Sequence, residues 1–317
     1  MGAAIKAIGL LALGECMVEF HAGRADGAGH AYGGDVANAL VAFARLGGRA
    51  GFISQVGDDE YGAGLRGALQ QEGVDLLHAP LRPGANGVYT ISVDAHGERS
   101  FSYRRAGSPA SRIGPANLDP AYLASARCLL VSGITQALSA SARAATLAAA
   151  RIGSDAGVMV VYDPNYRPHL WETQGGVCAA RAAFDELLPY TSWILPSHPS
   201  DATLLGEGHA RAGAGDSAAM AAQFALRGPS VVLKCGAEGC IIVQSAATDT
   251  VAGVKAPSVV DTTGAGDLWN GSFLFYLLAG HGPLAAAREA NRLAARTLGY
   301  CGAIPPRAMY FPGCDLA

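Results

Sequence analysis

The chain has 317 residues, half of them apolar and 15% charged, with a net charge of −3. That length allows one large α/β domain or two small ones, and the apolar share supports a sizeable core and argues against disorder. With no basic block in the sequence, nucleic acid is a poor partner.

Residues 5–13 form a short apolar run followed at once by Glu15. It reads as a buried first strand and not as a signal peptide. No stretch approaches the length of a membrane span, so no membrane partner is expected. Further strand-like runs lie at 50–56, 128–132, 158–162, 192–195, 231–234 and 240–244. Helix-like segments at 36–46, 61–71, 139–152, 177–188 and 218–226 alternate with them. This rhythm predicts a mostly parallel sheet with helices on both faces. Two long helices, 268–279 and 284–298, close the domain. With no linker or repeat, residues 1–317 read as one α/β domain.

One region breaks the rhythm. Residues 87–105 read as a β-hairpin with a polar turn at 94–97. Residues 16–21 read as a further strand beside it. A small sheet of this kind, from 16–21 and 87–105, is placed to act as a lid, and its exposed edges suggest a homo-oligomer paired through it. Residues 206–215, rich in glycine and alanine, read as a surface loop. The seven cysteines are scattered, with no CxxC pair. They fit reduced thiols in a cytoplasmic protein, with Cys16, Cys128 and Cys240 as core residues.

The chemistry concentrates at Asp261-Thr262-Thr263-Gly264-Ala265-Gly266-Asp267. Small residues there permit a tight turn with uncovered N–H groups. The helix that follows adds free N–H groups and the positive end of its dipole, which together suit a phosphate. Asp267 stands at the edge as a base for an incoming hydroxyl. The bland alternative is a helix cap that binds nothing. The GxxxxGK[ST] pattern is absent and no GxGxxG follows a strand here, which argues against Walker-type NTPases and dinucleotide enzymes.

This run resembles the C-terminal signature of the ribokinase-like (PfkB) carbohydrate kinases. Gly33-Gly34-Asp35-Val36-Ala37-Asn38-Ala39, with Ala44-Arg45-Leu46-Gly47 and Val56-Gly57-Asp58-Asp59, resembles the N-terminal one. The resemblance implies a three-layer α/β/α fold with a small β-sheet lid, ATP and Mg2+ as cofactors, and Gly264, Ala265, Gly266 and Asp267 as the catalytic centre. Gly33 and Gly34 let backbone approach a sugar, and Asp35 and Asn38 can bond its hydroxyls. Asn38 could otherwise be satisfied inside a helix.

Within that family, the run Asp163-Pro164-Asn165-Tyr166-Arg167-Pro168-His169-Leu170-Trp171 is similar to that of 2-keto-3-deoxygluconate kinases. So are Ser132-Gly133-Ile134-Thr135, Tyr103-Arg104-Arg105 and Cys301-Gly302-Ala303-Ile304-Pro305. An acid substrate needs a cation, and Arg105 and Arg167 can each grip a carboxylate with two parallel bonds. On residue type alone, a structural ion pair is equally open for each. The flanking motifs favour carboxylate recognition, with Tyr89, Tyr103 and Ile134 completing the site. For both tyrosines, packing within the hairpin is the alternative.

For the nucleotide, the resemblance points to Asn165, Ser197, Lys234, Gly236, Gly239, Asp261, Thr262 and Asn291. Lys234 would meet a phosphate, or be a solvated strand end. No metal ligand is assigned. Relatives carry an Asn-x-x-Glu motif where this chain has Ser197-His198-Pro199-Ser200-Asp201; the glutamate position falls on Ser200, and Asp201 could substitute through water. The expected activity is ATP-dependent phosphorylation of a sugar acid. The alternatives are a neutral-sugar or nucleoside kinase, or a sugar-binding relative with weak catalysis.

Overall fold

The structure is a computed structural model that describes residues 7–21, 29–93, 99–206 and 216–310. The chain opens with β1 (Ile8–Leu13), β2 (Met17–His21), β3 (Ala31–Gly33) and α1 (Asp35–Arg45). Next come β4 (Ala50–Ile53), β5 (Val56–Gly57), α2 (Gly62–Gln71), β6 (Val74–Asp75) and β7 (Leu81–Arg82). The hairpin of β8 (Val88–Val93) and β9 (Arg99–Arg104) precedes α3 (Pro120–Ala124) and β10 (Ala126–Ser132). Then follow α4 (Gly133–Leu138), α5 (Ala140–Asp155), β11 (Met159–Asp163), α6 (Pro168–Trp171), α7 (Gly176–Leu187) and β12 (Trp193–Ile194). The last third holds α8 (Ser217–Ala225), β13 (Ser230–Lys234), β14 (Gly239–Gln244), β15 (Ala247–Ala252), α9 (Ala265–Leu278) and α10 (Pro283–Thr297).

Nine strands make the main sheet, in the order β15-β14-β13-β12-β11-β10-β1-β4-β6. All neighbours pair parallel except β14 with β13 and β15, which are antiparallel. The central strands are apolar without a break because helices cover both faces. Alternate side chains of β1 separate accordingly. Leu11 and Leu13 join one core with α5, α7 and α8; Leu10 and Ala12 join the other with α1, α9 and α10. Helix starts follow local chemistry: Ser139 caps α5 and Asp216 caps α8 through side-chain oxygens.

A four-stranded sheet, β3-β2-β8-β9, forms the lid. The expected strand at 16–21 is β2, which runs parallel to β8, while β8 and β9 pair antiparallel. Several details differ from the sequence reading. The 50–56 run divides into β4 and β5. The edge strand β15 has no apolar run to announce it, since most of its residues are exposed. Residues 5 and 6, the polar turn at 94–97 and loop residues 207–215 lie outside the described residues. The helix after the glycine run begins at Ala265, three residues earlier than its apolar stretch suggests, because left-handed Gly264 (φ 73°) is its N-cap. Among the described residues, no helix is long and apolar enough to cross a membrane.

Candidate active site

A cleft of about 800 Å³ opens between the lid and one end of the main sheet. Asp267 lies in the first turn of α9 and lines this cleft with Thr262, Thr263 and Gly264. The turn is tightly built. Asp261 accepts from the Thr263 N–H (2.9 Å) and hydroxyl (2.7 Å), and from the Gly302 N–H (2.8 Å). A Cβ on Gly264 would come within 2.6 Å of the Ala303 carbonyl, so only glycine fits this left-handed position. The Ala265 N–H turns back to the Thr262 carbonyl at 3.3 Å, and the first full helical bond comes from Leu268. Among the described residues, no protein acceptor takes the N–H groups of Gly266 and Asp267. Two helix-start donors thus stand ready for an anion.

Asp267 accepts a bond from Asn38 Nδ2 at 2.9 Å. Burial, then the nearby charge of Asp35, pushes its carboxyl up to about 8, against the pull of the Asn38 bond. A carboxylate with so high a proton affinity suits a base near neutral pH. Asp35, the first residue of α1, accepts from the Ser132 hydroxyl, and its other oxygen is buried without a partner. Burial raises its pKa as well. Gly34 is extended; a Cβ there would sit 2.3 Å from the Glu15 carbonyl, so the backbone must stay bare where it borders the cleft.

The lid supplies the opposite wall. Tyr89 and Tyr103 stack at 5.9 Å, Arg105 lies 4.3 Å over the Tyr103 ring, and His169 stacks on the same ring at 5.5 Å. Burial, then Arg105 and Arg167, lowers the His169 pKa. Exposed Arg167 lines the cleft with Ile134 and Asn165, the latter held in a left-handed conformation at φ 37°. Gly33 lies just behind this wall, where a Cβ would meet the Tyr89 hydroxyl at 2.6 Å.

Several expectations need correction. Lys234 is not at a surface strand end. It is buried, bonded to Asp163 at 2.9 Å and to Asn270 Oδ1 at 3.0 Å, so its charge is matched inside the protein. Asp201 is fully buried, and its oxygens accept the N–H groups of Tyr166 (2.8 Å) and Ser197 (2.7 Å) in the core. Its burial raises its pKa to about 6. Asn291 is buried, with its amide engaged by Trp269 Nε1 at 2.7 Å and the Ala252 carbonyl at 3.0 Å. Ser197, Gly236, Gly239, Ala265 and Gly266 contribute no lining to the cleft. Arg105 is in the cleft, yet one of its amino groups is already paired with Glu15. Asp59 serves the framework, accepting from the Asn86 N–H at 2.7 Å and from the Asn86 side chain just before the hairpin.

The sequence reading missed Glu15, Glu19 and His169. Glu15 is buried and lines the cleft. Glu19 accepts from the Tyr89 hydroxyl and from the Ala303 N–H at 3.3 Å. Both are acids in a segment otherwise buried, which was the available signal, since lone buried carboxylates are rare. Among the described residues, no group of three or more His, Cys, Asp or Glu side chains could hold a metal ion. The donor set instead fits phosphate, through the free N–H pair and the threonines.

The family model described as pfkB family carbohydrate kinase matches residues 10–308. A 2-dehydro-3-deoxygluconokinase of Thermoproteus tenax is 33% identical over 273 residues, 85% of this chain and 80% of the relative. A fructokinase of Klebsiella pneumoniae is 34% identical over 290 residues, 86% and 88% of the two chains. A putative ribokinase II from E. coli, solved in complex with ATP and Mg2+, superposes with a TM-score of 0.80 at 23% identity, covering 94% of each chain. This likeness shows that the fold is ribokinase-like.

Proposed function

Since the chain belongs to the pfkB family of carbohydrate kinases, we propose that it transfers a phosphoryl group from ATP to the terminal hydroxyl of a sugar acid, 2-keto-3-deoxygluconate. The observation that carries this reading is the sharing of one cleft by Asp267 and two arginines, with the unpartnered N–H groups of the Gly266–Asp267 helix start beside it. A neutral sugar needs no guanidinium, whereas a keto-acid carries a carboxylate that Arg105 and Arg167 can bind. The T. tenax relative supports the same substrate class.

In this reading Asp267 takes the proton of the terminal hydroxyl as its oxygen attacks, while the N–H groups of Gly266 and Asp267 meet the charge of the transferred phosphoryl. ATP supplies that group, and ADP is released with 2-keto-3-deoxy-6-phosphogluconate. Asn38 orients the base and Asp35 accepts from sugar hydroxyls. The lid excludes water. Magnesium entering with the nucleotide would be held chiefly by phosphate oxygens and water, because Asp163 and Asp201 are engaged within the protein.

A neutral-sugar kinase is the second reading. Glu15 already pairs with Arg105, and the K. pneumoniae fructokinase matches at similar identity. An ADP-coupled assay over sugars and sugar acids separates the two. Higher kcat/KM with the acid supports the first reading; turnover of fructose alone overturns it.

A further inference from the structure

Glu19 stands in β2 of the lid, 1% exposed, and pairs in register with Tyr89 of β8. Its Oε2 accepts two bonds, one from the Tyr89 hydroxyl and one from the Ala303 N–H at 3.3 Å. Oε1 is buried with no partner among the described residues. A single oxygen atom thus joins the lid to the segment that follows α10. Burying an acid is costly, so its few contacts are where its use is to be sought.

The surroundings of Ala303 give that bond its consequence. Its carbonyl borders the phosphate turn so closely that a Cβ on Gly264 would approach it to 2.6 Å. The preceding residue, Gly302, donates its N–H to Asp261 at 2.8 Å, and Asp261 in turn holds the Thr263 N–H and hydroxyl. On the lid side, a Cβ on Gly33 would lie 3.2 Å from the Ala303 side chain. Residues 302 and 303 are therefore wedged between the lid and the phosphate turn. Tyr89 lines the cleft from one side of this wedge; Thr263, Gly264 and Asp267 line it from the other.

We infer that Glu19 is a positioning residue for phosphoryl transfer: through Oε2 it ties Tyr89 of the lid to the 302–303 segment, and so fixes the spacing between the acceptor side of the cleft and the Gly264 turn. Glu19 does not itself line the cleft, so it acts through Tyr89 and Ala303. A sugar hydroxyl must be held in line with the phosphoryl group, and a misplacement of about 1 Å can cost about a hundredfold in rate. Water is small and reorients freely, so its attack does not depend on that spacing. Loss of the tie therefore slows transfer to the sugar more than transfer to water, which yields ADP and inorganic phosphate. The inference rests on the kinase reading above and not on which sugar is the acceptor.

The test measures sugar phosphate and inorganic phosphate formed together from ATP. It uses 2-keto-3-deoxygluconate and fructose with wild type, Glu19→Met, Glu19→Gln and Glu19→Asp. The ratio of the two products does not depend on how much of a variant is folded. Glu19→Met keeps the length and removes the acceptor, so the ratio should fall about tenfold or more. Glu19→Gln retains a carbonyl oxygen for both donors and should return the ratio to within about threefold of wild type, the scale of one weakened hydrogen bond. Glu19→Asp keeps the charge but shortens the reach, so its ratio should also fall; it decides the matter if Glu19→Met does not fold. A lower total rate at an unchanged ratio is the mark of a merely structural role and overturns the inference, as does an equal fall in Glu19→Gln. A wild type that phosphorylates only fructose overturns the sugar-acid reading alone, since the ratio is then read with fructose. A wild type that phosphorylates neither overturns both.

Discussion

Asn38, on the first turn of α1, donates to Asp267 on the first turn of α9 across 2.9 Å, although 229 positions separate them in the chain. Two helix starts that border one cleft are thereby fixed against each other. The Asn38 side chain also accepts from the Gly34 N–H at 3.3 Å, so the same amide steadies the bare backbone at the cleft.

The first consequence concerns pH. With the Asp267 carboxyl at about 8, its basic form loses about tenfold in population per pH unit below that value. The kcat/KM of the wild type should climb with pH and level off above about 8. Asp267→Asn should lower kcat by about 10²–10⁴-fold, the usual contribution of a base, with ATP binding retained. A flat pH profile together with full turnover in the variant would remove Asp267 from that role.

The same carboxyl affects stability in the opposite sense. Its folded pKa lies above the ordinary value near 4, so the folded protein holds a proton that the unfolded chain releases. That stabilisation is complete below about pH 4 and is lost as pH rises through about 8. Asp267→Asn, which has no charge to bury, should melt a few °C above wild type at pH 9, and the gap should close towards pH 5. Thermal melts across that range measure it.

Arg167→Ala addresses the acid reading from the exposed side of the cleft. KM for the sugar acid should rise by about tenfold or more and KM for fructose should barely move, since only the acid offers a partner for the guanidinium. Equal shifts would mean that Arg167 serves structure alone.

Lys234→Met tests the interior ion pair. It leaves Asp163 and Asn270 without their cation, and breaking a buried pair typically costs about 3–5 kcal/mol. Denaturant unfolding should show a loss of that order. A variant as stable as wild type, with only its nucleotide affinity reduced, would return Lys234 to a phosphate-binding role.

Much of the architecture was legible because the main strands are buried on both faces and read as apolar runs, as at 158–162. β15 was not, because an exposed edge strand leaves no such trace. The two glycine motifs announced the cleft, since bare backbone and a left-handed cap demand those residues at Gly34 and Gly264. Partnership was the hidden part. Nothing local in the sequence says that Lys234 turns inward to Asp163, that Asp201 binds two backbone amides, or that Glu15 reaches Arg105 across 90 positions. Such pairings are set by tertiary packing, which motif spacing does not encode.

The most direct measurement is ADP release by the wild type when 2-keto-3-deoxygluconate is added to ATP and magnesium, run beside Asp267→Asn. We expect rapid release and a phosphorylated sugar acid from the wild type, and both slowed about a hundredfold or more in the variant. Sugar-acid binding without ADP release, or equal release from both proteins, would contradict a transfer in which Asp267 is the base.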